Sequence, residues 1–299
     1  MKTRKKLIIF LFVLSATLLL LIAMIIGTFF WNYDVHRNVA YGEKAANVMD
    51  IYIPRKVKGA EDAGCVLFVH GGSWSGGDKK EETIRCRVLA SRGYIAASVN
   101  YTLWSENTAK EYTVFEVLDE LDAALLTLKT FSAERGISVT KAATAGYSAG
   151  AHLAMLYAYS RSDKAPLDIT FVASMAGPAD ITPEVWGAET TILIAKCLTG
   201  KTLTEDMLST PEARELLATI SPTAFVSEKA PPTIVMQGAK DPVVPPANAD
   251  SLIQKLSLHA VTYSYIHLKN SDHSLMQNPT KQLTYFNTLL RYCHTYFGS

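Results

Sequence analysis

Ser148 sits in Ala145-Gly146-Tyr147-Ser148-Ala149-Gly150, which fits the G-x-S-x-G spacing that holds a nucleophilic serine on a strained turn between a strand and a helix. The chemistry would be attack of a serine hydroxyl on an acyl carbon. Glycines two residues before and after the serine have a steric reason, since an unfavourable backbone conformation at the serine crowds its neighbours and residues without a Cβ relieve the crowding. The flanks agree with this geometry. Lys141–Ala145 is a run of mostly small residues suited to a buried strand, and Ala149–Ser160 is rich in Ala, Leu and Met, as a helix would be.

A second stretch, His70-Gly71-Gly72-Ser73-Trp74, directly follows the apolar run Cys65–Val69. Attack on a carbonyl puts negative charge on its oxygen, and each backbone N–H aimed at that point stabilises the charge by about 3–4 kcal/mol. Glycines let a backbone come that close. The N–H groups of Gly72 and Ser73, with that of Ala149 after the serine, are the candidate donors. His70 is expected to brace this loop, and the charges of Asp78–Glu82 to form a solvated helix start.

The elements that must position these residues alternate. Val39–Tyr41, Val48–Ile53, Cys65–Val69, Tyr94–Val99, Ile169–Ala176, Thr233–Gln237 and Val261–Leu268 read as strands. Glu81–Ser91 and Val114–Arg135 read as helices, the second stopped by Gly136. Such alternation implies an α/β domain with a mostly parallel sheet covered by helices on both faces. Active sites in such sheets lie at the carboxyl ends of strands.

That rule selects the remaining groups. Asp241 follows the strand Thr233–Gln237 in a tight loop, with Asp180 and Asp250 as rival acids. His273 lies past the last strand in Asn270-Ser271-Asp272-His273-Ser274, whereas His267 continues the strand's alternation and His152 lies in the helix behind the serine, where packing is the expected role. The base must take the Ser148 proton and return it to the leaving group, and the acid must fix its tautomer. Trp74 and Trp104 follow strand ends and are candidate pocket walls.

With HGGSW, GYSAG, Asp241 in GAKDPVVP and His273 in SDHSL in this order, the chain resembles the α/β-hydrolase superfamily over about residues 35 to 298. It is most similar to the carboxylesterase and lipase branch with HGGG-type loops, which includes hormone-sensitive-lipase-like and acetyl-xylan or feruloyl esterases. The resemblance implies an α/β-hydrolase fold, a triad of Ser148, Asp241 and His273, a small-molecule ester substrate and no metal or organic cofactor. Ser73 departs from the branch, which usually has a third glycine there. Helical sequence at 183–222 falls where a small cap commonly enters, and would make Trp186 a third pocket residue; an ordinary surface excursion is the alternative. A serine peptidase or amidase of prolyl-oligopeptidase-like type, and a non-catalytic binding module, are the competing readings of function.

The first 30 residues differ in kind. Lys2, Arg4, Lys5 and Lys6, a basic tail at 1–6, precede an uncharged apolar run at 7–30. As a helix that run is about 36 Å long, enough to cross a bilayer with some tilt. Its length and its end at Gly27-Thr28-Phe29-Phe30-Trp31 favour an uncleaved signal anchor over a cleaved signal peptide. The positive-inside rule then expects a linker at 31–38 and the catalytic domain, 39–299, outside the cytoplasm; secretion after cleavage is the alternative. Without its four basic residues, the tail and anchor leave the rest of the chain at −3, mildly acidic, with no basic cluster in sequence and no reason to expect nucleic acid. The four cysteines lack metal-type spacing and are expected to be buried thiols.

Overall fold

A computed structural model describes residues 15, 17, 32–57, 61–106 and 112–298. The expected basic tail and, apart from Ser15 and Thr17, the expected anchor lie outside the described residues. Among the described residues no helix is long and apolar enough to cross a membrane.

In chain order the elements are β1 (Tyr33–Ala40), β2 (Val48–Pro54), β3 (Ala63–Val69), α1 (Thr83–Ser91), β4 (Ile95–Val99), α2 (Val114–Ala133), β5 (Val139–Tyr147) and α3 (Ala149–Arg161). They continue with β6 (Asp168–Met175), α4 (Pro183–Trp186), α5 (Ala188–Thr199), α6 (Pro211–Thr219), β7 (Thr233–Gly238), α7 (Ala247–Leu258), β8 (Tyr263–Leu268) and α8 (Pro279–Phe297). The strands form one eight-stranded sheet in the order β1-β2-β4-β3-β5-β6-β7-β8. Among the described residues only the β1/β2 and β2/β4 pairs are antiparallel. From β4 to β8 every pair is parallel.

This is the expected mostly parallel sheet, and both faces are covered. Residues of α2, α3 and α7 pack in one apolar core on one face, and residues of α1 and α8 in a second core on the other. β3 is buried along its whole length, which is why Ala63–Val69 is continuously non-polar rather than alternating. All the parallel strands therefore end on the same side, and that side carries the loops after β3, β5, β6, β7 and β8.

Three local expectations are corrected. β1 begins at Tyr33, so most of the expected linker at 31–38 is ladder; Asp34, His36 and Arg37 hide the strand pattern because β1 is an edge strand with one side open to water. The helix expected from Glu81 is a 3₁₀ turn at Lys79–Glu82 followed by α1, started by a capping box between Asp78 and Glu81. The charges there are not all solvated: Lys79 is buried with its ammonium 3.0 Å from the buried Asp50 of β2, and buried Glu82 pairs with Arg85 at 2.7 Å. A buried charge persists only with a partner, and here the partners come from across the sheet and from the next turn.

Candidate active site

Ser148 lies between β5 and α3 with φ 53° and ψ −123°, a conformation that non-glycine residues rarely adopt and that costs about 1–3 kcal/mol. Its N–H donates to the Met175 carbonyl at 2.8 Å, which ties the turn to β6. The glycines make the turn possible. A Cβ on Gly150 would lie 2.0 Å from the Val69 carbonyl oxygen, and one on Gly146 would lie 2.4 Å from the Gly150 backbone. The helix thus starts in direct contact with the end of β3.

The Ser148 hydroxyl is 3.0 Å from Nε2 of His273, and Nδ1 of His273 is 2.8 Å from Oδ2 of Asp241. An ionised carboxylate only accepts, so Nδ1 carries the proton and Nε2 is left free to accept from the serine. Asp241 is fully enclosed: Oδ1 accepts the N–H groups of Val243 and Val244, each at 2.9 Å, and Oδ2 also accepts from Nε2 of Gln237 at 3.1 Å. The acid and histidine loops are joined by the Lys240 N–H, which donates to the Ser271 carbonyl at 3.0 Å. Tyr147 completes the support, its hydroxyl donating to the His273 carbonyl at 2.8 Å. Burial, reinforced by the Asp241 charge, pushes its phenol up to about 12, so it stays a donor.

The loop after β3 turns through positive φ at Gly72 (109°), Ser73 (51°) and Trp74 (59°). The serine in place of a third glycine thus occupies the left-handed region itself. Within the loop, the N–H groups of Ser75 and Gly76 both donate to the Gly72 carbonyl at 3.0 and 2.9 Å. His70 braces it from below, stacked on Tyr101 with ring centroids 4.5 Å apart, while its carbonyl accepts the Tyr101 hydroxyl. Ser73 and Ala149 line the same cavity as Ser148.

That cavity, of about 340 Å³, is walled by Trp74, Trp104, Trp186, Leu193 and Val243 and is mostly apolar. Its walls are fixed. Trp74 donates its indole N–H to Nδ1 of His152 at 3.2 Å, and His152, which is fully buried, donates from Nε2 to the Ile220 carbonyl at 2.8 Å. Burial pushes the His152 pKa down to about 4, consistent with a neutral packing residue. Trp104 is joined to Trp74 by its N–H donating to the Trp74 carbonyl at 2.8 Å, and Trp186 donates its indole N–H to the Asp180 carbonyl at 2.9 Å. The segment between β6 and β7 contributes α4 and α5 to one wall. Cys197 of α5 also lines the cavity, so it is only half-buried, unlike Cys65, Cys86 and Cys293.

The rival groups lie elsewhere. Asp180 borders a different cavity, Asp250 is exposed on α7, and His267 is exposed on β8. Three supporting residues escaped the sequence reading: Gln237, Tyr147, and Asn248, which is fully buried and accepts the N–H groups of Ala179 and Asp180 on Oδ1 at 2.9 and 3.1 Å. A glutamine ending an otherwise apolar strand was the one visible signal. Among the described residues no group of His, Cys, Asp and Glu side chains is arranged to hold a metal ion.

Known proteins similar to this chain, in sequence and in fold, include esterases. Esterase LipC of Mycobacterium tuberculosis is 27% identical over 81% of this chain and 60% of its own length. A probable isoprenylcysteine alpha-carbonyl methylesterase of Oryza sativa is 34% identical over 42% of this chain and 29% of its own length. The chain thus spans less than two thirds of either relative. Among solved structures, esterase B from Lactobacillus rhamnosis superposes with a TM-score of 0.70 at 20% identity, covering 94% of this chain and 93% of that one. A truncated carbohydrate esterase from gut microbiota gives a TM-score of 0.69 at 17% identity, covering 89% and 97%. These likenesses carry the fold. The BD-FAE family model matches residues 49–256, from β2 through the serine turn and the acid loop to α7, and the chain belongs to the BD-FAE family.

Proposed function

We propose that the protein is a serine esterase that cleaves a small or medium carboxylic ester through an acyl-serine intermediate. The observation that carries this reading is the unbroken hydrogen-bonded line from Ser148 through His273 to Asp241, with its serine end open to an apolar cavity. Oγ of Ser148 forms a bond to the ester carbon while its proton passes to Nε2 of His273, and Asp241 stabilises the imidazolium. The carbonyl electron pair moves onto oxygen, which the N–H groups of Gly72, Ser73 and Ala149 receive. Collapse expels the alcohol, protonated by His273. Water then repeats the attack on the acyl-serine, with His273 as base, and releases the acid.

The esterase names of the relatives favour an ester over an amide substrate. In this reading α4–α6 act as the cap, and Trp74, Trp104 and Trp186 select the acyl or alcohol group. The apolar run at 7–30 with its preceding basic residues supports a single-pass anchor and a catalytic domain outside the cytoplasm. The test is turnover of p-nitrophenyl acetate by wild type and Ser148→Ala. Loss of at least about a thousandfold in kcat is expected; undiminished turnover would overturn the reading.

A further inference from the structure

The direction of β1 bears on how the pocket is presented. β1 is antiparallel to β2, and β2 to β4, so β1 runs the same way as all the parallel strands. Its first residue therefore lies at the base of the sheet, and the pocket lies at the tips. The register makes this quantitative: Tyr33 is opposite Pro54, Tyr52 is opposite Ala96, Cys65 is opposite Ile95, and Gly64 is opposite Lys141. Tyr33 is thus about level with Lys141, near the start of β5. Seven residues at about 3.3 Å each put Ser148 about 23 Å further along the strand direction. The residue before β1 is also held in place, the Asn32 carbonyl accepting the Arg55 N–H at 2.8 Å.

The surface around Asn32 is basic. A cavity of about 610 Å³ there is lined by Asn32, Arg55, Lys56 and Arg92, and a second one of about 270 Å³ shares Arg92 and adds Arg291 and His294. Among the described residues no carboxylate lines either. Arg55 has an exposed partner, Asp34 at 3.4 Å, while Lys56, Arg92 and Arg291 are exposed without an ion pair among the described residues. These residues come from the end of β2, the end of α1 and the last turns of α8, and only the fold gathers them beside the point where the chain leaves for its apolar run.

We infer that this basic face rests on the anionic headgroups of the bilayer that holds residues 7–30, so that the ester pocket faces away from the membrane and takes its substrate from the aqueous side rather than from the lipid. The inference rests on the reading of that run as an anchor. Each Lys or Arg near an anionic leaflet adds about fivefold to its attraction. The tether brings these residues to the surface, and in sequence Trp31 alone separates the apolar run from Asn32.

The test uses the full chain in phosphatidylcholine vesicles with and without phosphatidylglycerol, carrying an acceptor dye on lipid. A donor dye is placed on Met276→Cys, exposed in the loop after His273, or on Thr295→Cys, exposed near the end of α8, in a Cys197→Ser background. Strong energy transfer from position 295 and weak transfer from 276 is expected, with the contrast growing when phosphatidylglycerol is present. Replacing Arg55, Lys56 and Arg92 together by Gln should abolish the phosphatidylglycerol effect, leaving p-nitrophenyl acetate hydrolysis and carbonate-resistant membrane association unchanged. Equal or stronger transfer from 276 in carbonate-resistant protein overturns the orientation while the anchor stands. Transfer indifferent to phosphatidylglycerol in wild type, or an effect that survives the triple replacement, overturns the headgroup contact. Extraction by carbonate overturns the anchor reading and this inference with it.

Discussion

The carboxamide of Gln237 and the imidazole of His273 donate to the same oxygen of Asp241, at 3.1 and 2.8 Å, while two backbone N–H groups hold the other oxygen. The carboxylate is therefore aimed by the strand that precedes it as well as by its own loop. Gln237→Met keeps the volume and removes the donor. A hydrogen bond to a charged group contributes about 1.5–3 kcal/mol, so kcat should fall about tenfold or more, with KM nearly unchanged. A change in KM alone, measured with p-nitrophenyl acetate, would assign Gln237 to the pocket and not to the positioning of Asp241.

Tyr147 acts on the other partner. Its hydroxyl holds the main chain of His273, so Tyr147→Phe should loosen the histidine loop without touching substrate. A fall in kcat of about fivefold is expected from the loss of one neutral hydrogen bond of about 1 kcal/mol. Wild-type kcat in this variant would show that the loop is held by its other contacts.

Some of this site was legible in sequence and some was not, for physical reasons. The turn at Ser148 is a local steric problem, and its solution, glycine on both sides, is written within five residues. Asp241 and His273 could be located because strand ends can be read from apolar runs and the loops that follow are short. Tyr147 and Asn248 act on partners far away in sequence that the fold brings beside them, and spacing along the chain carries no trace of that, whereas Gln237 reaches an acid only four residues on and shows in sequence as a polar residue at the end of a strand. Lys79 was misread for the same reason as Tyr147 and Asn248. It looks like a surface charge until β2 delivers Asp50 beneath it. The start of β1 was missed because an edge strand needs no apolar alternation on its open side.

Gly150 tests the packing of the turn. A methyl group there would sit 2.0 Å from the Val69 carbonyl oxygen and 2.4 Å from that of His70, both backbone atoms that cannot move aside. Gly150→Ala should lose at least about 3 kcal/mol of stability, an overpacking effect at the upper end of the usual range. Thermal unfolding that matches wild type would mean that α3 shifts freely against β3.

His152 makes stability depend on pH. Burial pushes its pKa from the ordinary 6.5 down to about 4, so between these values the unfolded chain takes up the proton and the folded one does not. Its contribution is complete above about pH 6.5 and is lost as pH falls toward 4, with a full effect of about 3 kcal/mol. Denaturant unfolding of a fragment starting at Asn32 should show this loss, and His152→Gln should show a shallower decline over the same interval. An unchanged slope in the variant would place the acid sensitivity elsewhere.

The central claim is that Ser148 is the nucleophile and that His273 activates it. A fluorophosphonate probe followed by peptide mass spectrometry tests both at once. The expected result is phosphonylation of the peptide containing Ser148, none in Ser148→Ala, and labelling slowed at least about a thousandfold in His273→Ala. Modification of a different residue, or a rate in His273→Ala equal to wild type, would contradict the account.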